Sequence, residues 1–151
     1  MTTPVKNFHR VSETLYRSAQ PSDRAMRWIY ESGIKTVINL RHFHTDTDEI
    51  GDIPLRDFHI VFATMWPEER DVARFLKIVR DKRNYPCLVH CLHGADRTGT
   101  MCAIYRIEVQ GWSVEKAIAE MRDPKFGHHR YFKHLPAFIK RRYRKKIGGA
   151  S

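Results

Sequence analysis

Cys91 and Arg97 stand six positions apart in VHCLHGADRTGT, residues 89–100, with Gly94 between them and Thr98–Gly99 directly behind. A thiol, a fixed cation and flexible backbone in one short stretch suit chemistry on a bound anion. The stretch follows PCLVHC, a short run of buried-strand type, and leads into RTGTMCAIYRIEVQG, which reads as a helix ending at Gly111. A helix N-terminus offers unpaired N–H groups and the positive end of a dipole, and so attracts anions. Gly94 and Gly99 let the backbone turn and approach a ligand. The N–H groups of Leu92, His93, Gly94, Ala95, Asp96 and Arg97 can form a nest around an anion. The Arg97 guanidinium adds a planar, two-pronged grip on phosphate. In such a field the Cys91 thiol becomes a thiolate, a nucleophile aimed at phosphorus. The Thr98 hydroxyl is placed to donate to the Cys91 sulfur and help it leave. His90 orients the loop rather than acting as a base, because a thiolate needs none.

Two other readings compete. Cys91 is a buried apolar filler in the first. In the second, His90, Cys91 and His93 hold a metal with His128 and His129, but zinc ligand pairs are usually separated by two to four residues and no second cysteine pair exists. The expectation is no metal and no cofactor.

The elements that must position this stretch alternate. TLYRSA (14–19), IKTVINL, FHIVFA (58–63) and PCLVHC are strand candidates. QPSDRAMRWIYESG reads as a helix stopped by Gly33, and PEERDVARFLKIVRDK as one with Val72, Phe75, Leu76 and Val79 on its apolar face. RHFHTDTDEIGD is polar, a loop or one helical turn. Ser113 caps VEKAIAEMR, and an amphipathic helix runs from about Leu135 to Lys145, with Pro136 tolerable only in its first turn. The fold class is therefore α/β, a mainly parallel central sheet covered on both faces by helices. At 151 residues the chain fits one domain, 1–151, with a basic C-terminal helix at about 131–146.

Charge is uneven. Of the net +10, the segment from Arg122 to Lys146 holds ten Lys or Arg against one acid, Asp123, so +9 sits there. KRRYRKK, Lys140 to Lys146, is either a solvated helix end or a surface for an anionic partner. No nucleic-acid partner is expected. No apolar run is long enough for a membrane span, the N-terminus lacks the apolar centre of a secretory signal, and the chain reads as cytoplasmic. Cys87, Cys91 and Cys102 do not make the even set of a disulfide framework.

VHCLHGADRTG resembles the signature loop of cysteine-dependent protein phosphatases of the dual-specificity branch. LYRSAQPS, GIKTVINLR, FLKIVRD, AIYRIEVQGWSVEKAIAEM and FGHH extend the resemblance, to a group of small bacterial members, over roughly residues 14–129. It implies the fold of that family, a phosphocysteine intermediate on Cys91, a phosphate held by Arg97 and no metal. It also implies a carboxylic acid on a loop before the helix that precedes the cysteine strand. ATMWPEERD occupies that place, which makes Glu68 the candidate general acid, with Asp71 and then Glu69 as alternatives and Asp57 further off. Each of these acids alone also suits a helix N-terminus. Relatives that cleave inositol pyrophosphates carry a more basic loop, and here Asp96 beside Arg97 would repel a highly charged substrate unless it points away. The expected function is hydrolysis of a phosphorylated protein, tyrosine or dual specificity, or of a small phosphomonoester. The alternatives are an inositol (poly)phosphate phosphatase and a non-catalytic phosphate- or polyanion-binding module. The oligomeric state stays open.

Overall fold

The computed structural model describes residues 3–129 and 132–144. In chain order the elements are β1 (His9–Arg10), β2 (Leu15–Ser18), α1 (Asp23–Glu31), β3 (Thr36–Asn39), α2 (Thr47–Ile50), β4 (Arg56–His59), α3 (Glu69–Arg80), β5 (Cys87–His90), α4 (Arg97–Glu108), α5 (Val114–Met121) and α6 (His134–Arg142), with 3-10 turns at Lys82–Asn84 and Pro124–Phe126. The five strands form one sheet in the order β1-β2-β5-β3-β4. β5 is central and parallel to both neighbours: Leu15 and Thr36 flank Cys87, and Ser18 and Asn39 flank His90. Only the β1–β2 pair, which the sequence did not announce, is antiparallel.

Side chains alternate across a strand, so each strand feeds two cores. Val37 and Leu88 pack with Met26 and Ile29 of α1 and Ile50 of α2. Ile38, Cys87 and Val89 face the other way, into a larger core built with α3, α4, α5 and α6. The sheet is thus covered on both sides, as an almost fully buried parallel sheet requires. The local signals are those expected: Ser22 and Ser113 cap α1 and α5 by accepting from Ala25 N and Lys116 N.

The fourth strand differs from its expected span, 58–63. The ladder covers Arg56–His59, although Ile60 and Phe62 still donate to Asn39 O and Leu40 O and are fully buried. At the end of β3 the Asn39 side chain accepts from Arg41 N and donates to His44 O. The C-terminal helix is shorter than 131–146, and Tyr131, Lys145 and Lys146 lie outside the described residues. Its inner side is core: Leu135, Phe138 and Ile139 are buried, as is Tyr143 just beyond. Pro136 falls in its first turn, where no backbone donor is lost.

The loop 91–96 leaves the end of the central strand and crosses the end of β2. At Gly94 φ is +74°, and a Cβ there would lie 2.5 Å from the Ser18 carbonyl carbon and 2.6 Å from Ala19 N. Backbone cannot yield as a flexible side chain does. Gly94→Ala should therefore displace the loop and cost on the order of 2 kcal/mol or more. Denaturant unfolding and oxyanion binding would both show it, and unchanged oxyanion affinity would contradict this packing. Ile139→Ala should cost about 2–5 kcal/mol by opening a cavity under α6, read as a lower thermal midpoint.

Candidate active site

β5 delivers Cys91 to the C-terminal end of the central strand, 2% exposed, at the base of the loop. Arg97 opens α4 and is half-buried. Between them the backbone is held by its carbonyls. Gln20 N donates to Leu92 O at 3.1 Å, the Asn7 side-chain amide to His93 O at 3.1 Å, and Arg17 Nη2 to Gly94 O at 2.9 Å. Among the described residues, the amides of Leu92 to Asp96 donate to no acceptor. Carbonyls drawn outward leave amides on the inner side, and the first turn of α4 adds its own N–H groups. Such an arrangement, here called the cradle, suits an anion.

The expected members of the loop are together in one strand–loop–helix unit: His90, Cys91, Leu92, His93, Gly94, Ala95, Asp96, Arg97 and Thr98. Thr98 Oγ1 is buried and has no partner among the described residues, so the expected donation to the Cys91 sulfur is not formed here. Asp96 is turned away from the cradle. It accepts from His129 N at 2.8 Å and pairs with His129 Nδ1 at 2.6 Å. His128 Nδ1 lies 2.9 Å from its other oxygen, without the alignment of a hydrogen bond. The FGHH stretch thus takes up the acid that would have opposed a second negative charge at Arg97.

Burial pushes the Cys87 thiol up to about 12, and burial also raises that of Cys102. All three cysteine side chains belong to the same buried core cluster. All three cysteines are free.

His90 is fully buried, and its Nε2 meets Asp46 Oδ2 at 2.5 Å, also fully buried. The other Asp46 oxygen accepts from Gln20 Nε2 at 2.8 Å, and Gln20 Oε1 accepts from Arg41 at 3.1 Å. Burial pushes the Asp46 carboxyl up, but the bond to His90 and its charge, with Gln20 and His44, outweigh it and hold the carboxyl below the ordinary range. His44, Asp46 and Glu49 place ligand atoms within 4.8 Å of one another. Those atoms already serve each other and His90: His44 Nε2 is 2.7 Å from Glu49.

The loop that supplies the expected acid is exposed, with Trp66 72% and Met65 58% accessible. His134 of α6 fastens it through a bond to Thr64 O. Glu68 precedes α3, is half exposed and pairs with Arg70 at 2.6 Å, so its partner is not a residue of the cradle. Glu69 pairs with Arg142 at 2.9 Å. Asp71 is partly buried; burial and then the Glu68 charge raise its carboxyl, with Arg70 and Arg74 opposing. Asp57, on β4, is also raised, by burial and then by the Asp46 charge.

Sequence reading missed Arg17 and Asp46. Arg17 lies mid-strand in LYRS and is 1% exposed. A charged residue in a run that must be buried was the available signal. Asp46 sits in a polar segment whose one acid of consequence has no local mark.

Comparison with known proteins identifies the family. A family described as "DSP-PTPase phosphatase fused to NAD+ Kinase" matches residues 5–134. The dual specificity protein phosphatase TpbA of Pseudomonas aeruginosa is 34% identical over 143 residues, 91% of this chain and 63% of TpbA, so the chain spans under two thirds of that relative. The crystal structure of P. aeruginosa TpbA superposes with a TM-score of 0.82 at 31% identity, covering 96% of this chain and 89% of the other. The catalytic core of the PP-IP phosphatase SIW14 from S. cerevisiae gives a TM-score of 0.78 at 23% identity, covering 95% and 94%, a likeness of fold alone. With most of its length matched and the cradle between Cys91 and Arg97 formed, the chain belongs to the dual-specificity phosphatase family.

Proposed function

We propose that the protein hydrolyses phosphomonoesters through a phosphocysteine intermediate, with phosphotyrosine the favoured substrate and phosphoserine or phosphothreonine also within reach. The observation that carries this reading is the cradle: three loop carbonyls bound on the outside, and a cysteine and an arginine at its two ends. The substrate phosphate sits in the cradle with Arg97 on two of its oxygens. The Cys91 thiolate attacks phosphorus, the P–O bond to the leaving group breaks, and a carboxylic acid protonates the departing oxygen. Water then attacks the phosphocysteine, its proton goes to the carboxylate, the S–P bond breaks to release inorganic phosphate, and the Thr98 hydroxyl donates a hydrogen bond to the departing thiolate. His90, held by Asp46, fixes where Cys91 emerges. No metal or cofactor has a part in these steps.

TpbA has been crystallised in complex with pTyr, which favours an aryl phosphate. The inositol phosphate reading gains one observation: Asp96 faces His128 and His129 rather than the cradle. Lys140, Arg141 and Arg144 stay exposed on and beyond α6 and suit an anionic partner, whereas Arg142 is spent on Glu69 and Glu108. Three free, buried cysteines suit the reducing cytoplasm. No helix among the described residues is long and apolar enough to cross a membrane.

Cys91→Ser should abolish hydrolysis of an aryl phosphate while phosphate binding persists, and near-normal turnover by that variant would sink the mechanism. Arg97→Lys, which keeps charge but not the fork, should lose about 100-fold or more in kcat/KM.

The acid is tested by leaving group and by pH. If Glu68 is the donor, Glu68→Gln slows tyrosyl and alkyl phosphates far more than an activated aryl phosphate, and the alkaline limb of the pH–rate profile disappears. If Asp71 is the donor, the sign differs: removing the Glu68 charge takes away one of the causes that raise Asp71, so the alkaline limb persists and moves to lower pH. An equal effect on all leaving groups from both Glu68→Gln and Asp71→Asn excludes both residues.

A further inference from the structure

Arg17 has no role in the mechanism above, yet it is the largest fully buried side chain that carries a charge. It alternates with Tyr16 and so points, like Leu15, into the α4 side of the sheet. The guanidinium lies under the junction of the loop and α4. Its Nη2 reaches Gly94 O, its carbon sits 4.0 Å from the centre of the Phe126 ring, and the same nitrogen would be 3.6 Å from a Cβ on Gly99. Its Nε is buried with no partner. None of the ion pairs among the described residues includes it. Asp96, in the loop itself, pairs with His129 and lies against His128 instead.

A buried charge is costly unless something balances it. One carbonyl and one ring face compensate a guanidinium only in part. We propose that Arg17 is a standing positive charge behind the cradle, a positioning residue whose counter-charge is the anion held on the other side of the loop. Through Gly94 O it fixes the outward turn of the carbonyls, and through space it favours a dianion in the nest. Its field reaches its surroundings: burial and then Arg17 lower the pKa of His9, and Arg17 opposes the burial that raises Cys102. This inference rests on the reading of the loop as a phosphate site and names a residue outside the signature stretch.

Vanadate inhibition and inorganic phosphate binding, measured on Arg17→Met and Arg17→Lys, test it. Methionine keeps an apolar stem against Phe126 and loses the charge; lysine keeps the charge and loses the fork. Oxyanion affinity should fall on the order of tenfold in Arg17→Met and clearly less in Arg17→Lys. The phosphate-free thermal midpoint reports folding separately. Should Arg17→Met fail to fold, Phe126→Glu against Phe126→Gln serves instead, since glutamate brings a counter-charge to an intact Arg17. Oxyanion affinity should then be weaker in the glutamate variant than in the glutamine one. Equal affinity in wild type and a folded Arg17→Met, equal losses in Arg17→Lys and Arg17→Met, or equal affinity in the two Phe126 variants overturns the inference while leaving the phosphatase reading intact. A wild type that binds neither oxyanion overturns both.

Discussion

The site depends on the carbonyls of residues 92–94 being held on the outside of the loop. A peptide unit presents its N–H and C=O on opposite sides, so fixing the carbonyls also fixes the amides. Three donors from the N-terminal twenty residues do this: Gln20 N, the Asn7 amide and the Arg17 guanidinium. They come from β2 and the segments flanking it, which explains why a loop near residue 91 is shaped by residues about seventy to ninety positions earlier. Gly94 is the point of closest approach, where only a hydrogen fits against Ser18 and Ala19. An unbound helix N-terminus is a weak anion site by itself. Here it is extended by a loop whose carbonyls are already held in place, the arrangement that preorganised anion binding requires.

The sheet order makes this closure available. Because β5 lies between β2 and β3, the loop after it is reached from both sides. β2 supplies the donor to Gly94 O, Gln20 just beyond it supplies the donor to Leu92 O, and the loop after β3 supplies Asp46 to His90. Asp46 and His90 are both fully buried, so each leaves the other with a costly unpaired group if removed. The pair also couples to Gln20, whose backbone binds the loop and whose side chain binds Asp46. One glutamine thus ties the two sides of the central strand together.

Much of the fold was legible because its signals are local. Alternating apolar runs gave β2, β3 and β5, Ser22 and Ser113 marked helix starts, and Val72, Phe75, Leu76 and Val79 gave the inner face of α3. The chemistry at Cys91 and Arg97 was legible because both sit within one short stretch. Arg17 and Asp46 were not, since their roles arise from contacts across seventy-seven and forty-four positions. The strand expected at 58–63 is a ladder over Arg56–His59, because the buried apolar run of Ile60 and Phe62 continues beyond the regular pairing and periodicity registers burial, not the ladder. Asp96 was read by its neighbour in sequence, Arg97, whereas its partners in space are His128 and His129, so its orientation could only come from the folded chain.

The two-step route requires a covalent phosphoenzyme on one atom, and trapping it tests the account most directly. Wild-type protein mixed with a radiolabelled phosphotyrosyl peptide and quenched in acid within the first turnover should carry label, approaching one phosphate per chain if the second step is the slower. The label should sit on Cys91 as an S-phosphate, cleaved by iodine as a phosphoserine would not be, and be absent from Cys91→Ser. Hydrolysis that proceeds with no label bound at any quench time, or label carried by another residue, would contradict the account.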